Sequence, residues 1–250
     1  MKIKYAEFGS GEKTMLILPG LSIRTLSDNV APIAQAYKMF AQDYTVYLFD
    51  MPEVVEDGYD LPDMANDFFD KIRELGLKDI YLFGVSIGGM AAQILSLDHP
   101  QLIKKLCLCS TVSYLEEKNA VSSWKKLAEE GDSTGLLEQM IRYIYGEDNY
   151  DAYIGPVKAL YSDLSQEELQ RFAKLCSAAD GFDVRQRLPQ LKMPVYCLGS
   201  RKDMIFPYEQ QKVTADILAC DSFYYDAYCH AVYDEAADIK EKIYDFFEGE

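Results

Sequence analysis

A chain of 250 residues, 49% hydrophobic and 26% charged, is long enough for one large domain or for a core domain carrying an insertion. Its 41 acidic against 25 basic residues leave a formal charge of −16, which works against nucleic-acid and membrane partners because both need positive counter-charge. No stretch approaches the ~18 apolar residues of a membrane helix, and no signal-like apolar run follows the start, so a cytoplasmic protein is expected. Two histidines, and six cysteines without a C-x-x-C pair, argue against a zinc cluster or a disulfide framework.

Along the chain, short apolar runs end in turn residues and are followed by amphipathic stretches. Thr14–Leu18 runs into Pro19-Gly20, and Thr45–Phe49 into Asp50-Met51-Pro52. Ile80–Phe83 runs into Gly84, Lys105–Cys109 into Ser110, and Val195–Leu198 into Gly199. Runs of this length bounded by breakers suit strands buried on both faces. Helical spacing is expected over Asn29–Ala41, Leu61–Glu74 and Ser86–Leu97. The alternation predicts an α/β fold: a mostly parallel central sheet with helices on both faces.

That rhythm stops after Ser110. Between Val112 and Leu191 only helix-like pieces occur, at Ser122–Glu130, Thr134–Tyr145 and Gln166–Ala178. A helical lid insertion over 112–191 is therefore expected, within a core domain of 1–111 and 192–250. It would sit above the carboxyl ends of the strands, where open α/β sheets bind ligands. Phe223–Asp226 reads as the last strand and Asp234–Phe247 as the closing helix.

Gly84-Val85-Ser86-Ile87-Gly88 is G-x-S-x-G in a strand–turn–helix setting. The glycines leave room for a sharp turn that exposes the serine hydroxyl, so Ser86 is the candidate nucleophile. The amide of Ile87, at the helix start, is placed to meet oxyanion charge. A serine needs a base, and the chain offers only His99 and His230. His99 ends the helix that Ser86 begins, roughly 20 Å away at 1.5 Å per residue, which leaves His230. Asp203, in the loop after the Val195–Leu198 strand, is the candidate carboxylate to orient the imidazole; Asp226 and Asp180 are the rivals.

On the segments Leu18–Leu21, Asp50–Pro52, Gly84–Gly89, Gly199–Pro207 and His230, the chain resembles the α/β-hydrolase superfamily over nearly its whole length, in the branch with a helical cap. The resemblance implies a second oxyanion amide at Leu21. Relatives usually carry His-Gly where this chain has Pro19-Gly20, a change that a backbone donor tolerates. Arg24 could meet an anionic substrate group or pair with the lid. Tyr114, Trp124, Tyr143 and Tyr145 could line a pocket or pack the lid onto the core. Cys229, beside the histidine, lacks an elbow and reads as incidental.

The expected activity is that of a serine hydrolase acting through an acyl-enzyme on an ester, thioester or lactone, without metal or organic cofactor. Alternatives are carbon–carbon hydrolysis of a diketone acid and a ligand-binding protein on the same fold. A small-molecule substrate is expected, and a homo-oligomer is left open.

Overall fold

The computed structural model describes residues 3–116 and 119–249. Seven strands form one sheet: β1 (Tyr5–Gly9), β2 (Lys13–Leu18), β3 (Tyr44–Phe49), β4 (Ile80–Val85), β5 (Ile103–Cys109), β6 (Val195–Ser200) and β7 (Asp221–Tyr225). Their spatial order is β1-β3-β2-β4-β5-β6-β7. Only the β1–β3 pair is antiparallel. The apolar runs have no polar face because the pleat sends alternate residues into two separate cores. Leu16, Leu18, Leu82, Leu106 and Leu108 pack on one side. Met15, Ile17, Phe83, Val85, Cys107 and Cys109 pack on the other.

The helices are α1 (Ala31–Ala36), α2 (Leu61–Leu75), α3 (Ile87–Asp98), α4 (Ala120–Glu129), α5 (Ser133–Tyr145), α6 (Tyr150–Leu160), α7 (Gln166–Ser177), α8 (Tyr208–Leu218), α9 (Val232–Glu235) and α10 (Ile239–Glu248). The start of α2 shows how local chemistry sets an end. Asp60 accepts from the Asp63 amide at 2.9 Å, Asp63 returns the contact to the Asp60 amide, and Gly76 closes the helix at φ +67°.

Three expectations need adjusting. The helix expected over Asn29–Ala41 is only α1, flanked by short 3-10 turns, because Tyr37 leaves helical geometry. The closing helix expected over Asp234–Phe247 is two pieces, since the backbone of Ala236 is extended. The strand expected at Phe223–Asp226 lies at Asp221–Tyr225.

Between β5 and β6 the described residues hold α4 to α7 and no sheet strand. The chain leaves and returns along a two-stranded stem. Tyr114 bridges Asp183, the Leu115 amide donates to the Phe182 carbonyl at 2.9 Å, and the Val184 amide donates to the Ser113 carbonyl at 2.9 Å. No helix of the described residues is long and apolar enough to cross a membrane.

β2 pairs with both β3 and β4. The connection from β2 therefore runs one way and that from β4 the other, and the crevice where such connections part is the usual ligand position. The loop after β2 carries Leu21, and the turn after β4 carries Ser86.

Candidate active site

Ser86 sits between β4 and α3 at φ 54°, ψ −125°. A non-glycine residue there costs about 1–3 kcal/mol and persists only where its surroundings fix it. Four backbone contacts do so. The Ser86 amide donates to the Cys109 carbonyl at 3.0 Å, and the Ser86 carbonyl accepts from the Gly89 and Met90 amides and from the Thr111 hydroxyl at 2.7 Å.

The turn is closed by contact as well. A Cβ on Gly84 would stand 2.8 Å from the Gly89 Cα, and one on Gly88 would stand 2.2 Å from the Pro19 carbonyl oxygen. Gly88 is thus what lets the β2 loop, with Leu21, lie against the helix start, where Ile87 is the first residue. Gly88→Ala is expected to lower stability by about 1–3 kcal/mol and, by shifting the β2 loop against Ser86, to slow reaction of Ser86 with a fluorophosphonate on the order of 10²-fold. Thermal melting and fluorophosphonate labelling rates measure the two effects.

His230 and Asp203 are brought together. Nδ1 of His230 and Oδ2 of Asp203 are 2.8 Å apart, and both residues are buried. Asp203 is fully held: Oδ1 accepts from the Ile205 and Phe206 amides at 2.8 and 2.9 Å, and Oδ2 also accepts from Gln211 Nε2 at 2.9 Å. Each acceptor oxygen therefore has partners, as a buried carboxylate requires. The imidazole meets the rings of Phe206 and Tyr233 edge-on, and the Ser110 hydroxyl donates to the His230 carbonyl at 2.8 Å. The residues ending β5 and following it, Cys109 to Thr111, thus hold both Ser86 and His230.

The rivals lie elsewhere. His99 caps α3 and stacks on Phe69 at 3.5 Å between ring centroids. Asp226 is largely exposed and pairs with Arg201 at 3.2 Å, and Asp180 pairs with Lys125. Burial raises the pKa of the Cys229 thiol, the opposite of activation.

Arg24 presents no free guanidinium to a substrate. It donates to Glu168 and Asp163, each at 2.7 Å, and to the Leu160 carbonyl, all on the helical insertion. Its hydrogen bond pulls the Glu168 carboxyl down to about 2. The contribution of this pair is complete above the ordinary carboxyl value of 4.5 and is lost as the pH falls toward 2. Arg24→Met should lower stability by no more than about 1 kcal/mol, because the pair is partly solvated. Turnover of neutral and anionic esters should be unchanged, as melts and kinetics would record. Tyr114 lies under the Arg185 guanidinium at 4.0 Å, while Trp124 is buried in the core and packs beside Tyr143. Tyr145 stacks on Tyr153.

Several supporting residues escaped the sequence reading. The carboxylate of fully buried Asp50 accepts from the Leu26 and Ser27 amides and the Ser27 hydroxyl, fixing the loop beyond Leu21. Arg171 of α7 donates to the Ile23, Met51 and Pro52 carbonyls, tying that loop to the insertion. Asp50 lies within the Asp50–Pro52 segment; nothing local in the sequence marks Arg171 or Gln211.

This sheet order and elbow are those of one fold family. Residues 13–237 match the family model for the alpha/beta hydrolase fold; the chain belongs to that family, and it is an α/β-hydrolase enzyme. A curated relative, 3-oxoadipate enol-lactonase 2 of Acinetobacter baylyi, is 21% identical over 208 residues, covering 81% of this chain and 76% of that one. The putative carbamate hydrolase RutD of Serratia proteamaculans is 28% identical over 170 residues, covering 62% of this chain and 59% of that protein's length. Among solved structures, MGS-M2, an alpha/beta hydrolase enzyme from a Medee basin deep-sea metagenome library, superposes with a TM-score of 0.88 at 21% identity, covering 98% and 94% of the two chains. At that identity the superposition speaks for the fold alone.

Proposed function

We propose that the protein is a serine hydrolase that cleaves an ester, thioester or lactone of a small organic acid through an acyl-enzyme. Ser86 Oγ attacks the carbonyl carbon, and His230 Nε2 takes its proton. The amides of Leu21 and Ile87 bind the oxyanion. His230 then returns the proton to the leaving group, and Asp203 keeps Nδ1 protonated and stabilises the imidazolium. Water, deprotonated by His230, attacks the acyl-enzyme, releasing the acid and restoring the Ser86 hydroxyl. The helical insertion acts as the lid over this site.

The observation that carries this reading is the buried His230–Asp203 pair at 2.8 Å, held by the same β5 end that fixes the strained Ser86. The relatives bear the names of an enol-lactonase and a putative carbamate hydrolase, which supports a hydrolytic reaction. Carbon–carbon hydrolysis of a diketone acid would be favoured by a free cation near the site to meet the acid group, and the ion pairs of Arg24 with Asp163 and Glu168 engage its guanidinium elsewhere. The reading includes a small-molecule substrate, no nucleic-acid or membrane partner, and a cytoplasmic setting.

A fluorophosphonate probe followed by peptide mass spectrometry tests it. The adduct should fall on the peptide containing Ser86. Absence of an adduct, or one on another residue, overturns the assignment. Labelling without turnover across ester, thioester and lactone panels would favour ligand binding instead.

A further inference from the structure

Beneath the loop that carries Leu21 lies a cavity of about 330 Å³ that touches the mechanism above through Leu21 alone. Its walls include Gly20, Ser22, Tyr37, Val85, Tyr233 and Lys240. It abuts Ser86 and His230 without containing them, and it shares Leu21, whose amide the mechanism assigns to the oxyanion. Gly20 faces Ser86, such that a Cβ there would stand 3.2 Å from the Ser86 Cβ; Val85 precedes Ser86; and the Tyr233 ring meets that of His230 at 6.1 Å. The size falls at the lower end of small-molecule sites, about 300–1,000 Å³.

Two polar groups in this mainly apolar wall are unfinished. Lys240 donates to the Tyr233 and Asp234 carbonyls at 2.7 and 3.3 Å and sits 5.8 Å from the centre of the Tyr37 ring. Among the described residues it has no ion-pair partner, although acidic side chains outnumber basic ones 41 to 25. Burial pushes its pKa below the usual lysine value, and the nearby Asp234 carboxylate acts the other way without overcoming it. Asp234, the carboxylate on the cavity wall, is exposed and directed at the Tyr145 hydroxyl 3.4 Å away. The buried Ser22 hydroxyl has no hydrogen-bond partner among the described residues, and an acceptor on a ligand would complete it.

We propose that this cavity binds a small amphiphilic carboxylate, its apolar body against Ile33, Tyr37 and Val85 and its carboxylate accepting from Lys240 and Ser22. The inference deepens the hydrolase reading and rests on it for the identity of the site next door. The carboxylate has two sources: it belongs to the substrate or its product acid, or it belongs to a separate acid that occupies the space under the oxyanion loop.

Calorimetric titration of the full chain with hexanoate and with neutral hexanamide is the test. Wild type should bind hexanoate at least about tenfold more tightly. Lys240→Met should erase that preference, Lys240→Arg should retain it, and Ser22→Ala should weaken hexanoate more than hexanamide. Should Lys240→Met not fold, the Arg and Ala variants decide. No hexanoate binding, or equal affinity for the two probes, overturns the proposal.

Kinetics with monomethyl adipate and dimethyl adipate separate the sources. A lower KM for the monoester that Lys240→Met loses, with competitive inhibition by hexanoate, makes the carboxylate the substrate's own. Bound hexanoate that neither competes nor coincides with a monoester preference makes it a separate acid. Calorimetry needs no nucleophile. A chain that binds hexanoate but resists fluorophosphonate therefore overturns the hydrolase reading alone, and the converse overturns the carboxylate site alone.

Discussion

Ser86→Ala is expected to abolish fluorophosphonate labelling and to lower kcat on the order of 10⁶-fold, the scale seen when a triad nucleophile is removed. The fold should survive. The elbow is held through the Ser86 amide and carbonyl, which alanine retains, and the serine side chain does not cap α3. Ser86→Gly makes a sharper comparison. It loses the same activity but melts above the alanine variant, because glycine adopts φ 54° without the steric penalty that any Cβ incurs. Equal melting points for the two variants would show that the elbow is not strained. Retained turnover in Ser86→Ala would overturn the mechanism outright.

Asp203→Asn should reduce kcat by about 10⁴-fold while leaving the chain folded. The asparagine oxygen can still accept from the Ile205 and Phe206 amides, which fixes the side-chain rotamer. The amide nitrogen then replaces Oδ2, facing Gln211 Nε2 and His230 Nδ1. Two donors would oppose it, so the imidazole turns or takes the tautomer protonated on Nε2, and that tautomer cannot remove a proton from Ser86. Adding Gln211→Glu offers an acceptor to the new amide and should relieve the crowding without restoring the base. Steady-state kinetics and near-ultraviolet circular dichroism report chemistry and fold separately. Unchanged turnover in Asp203→Asn would take the orienting role away from Asp203.

Strands β2 to β6 were legible because sheet burial on both faces writes itself as an uninterrupted apolar run. β1 was not, since Tyr5–Gly9 alternates in exposure along an antiparallel edge and is defined by its partner, β3. α8 was hidden because it buries polar residues: Gln210, Gln211 and Thr214 face inward, and Gln211 does so to reach Asp203. At the site, Ser86 could be read from five adjacent residues and His230 from scarcity, as the chain has two histidines. Asp203 followed from its place after a strand. The residues that hold these in position act across long sequence separations; Arg171 meets Pro52 from 119 positions away. In the sequence Arg24 reads chiefly as a surface or lid-pairing residue and secondarily as a binder of substrate anions, and the glutamate that it pairs with lies 144 positions on.

The stem at Ser113–Leu115 and Phe182–Val184 has a practical consequence. Its two arms are joined by backbone hydrogen bonds of 2.9 Å, so everything between them enters and leaves the core at adjacent points. A foreign segment whose own ends lie one strand spacing apart can be spliced there without stretching Ser110 or Thr111, which anchor His230 and Ser86 just upstream. The limits on such exchange are α7, because Arg171 grips the loop of Leu21, and the end of α5, whose Ile144 carbonyl accepts from the Ala231 amide beside His230. Libraries that recombine this protein with its relatives should therefore cut at the stem and retain Arg171 and the end of α5, varying α4 and α6.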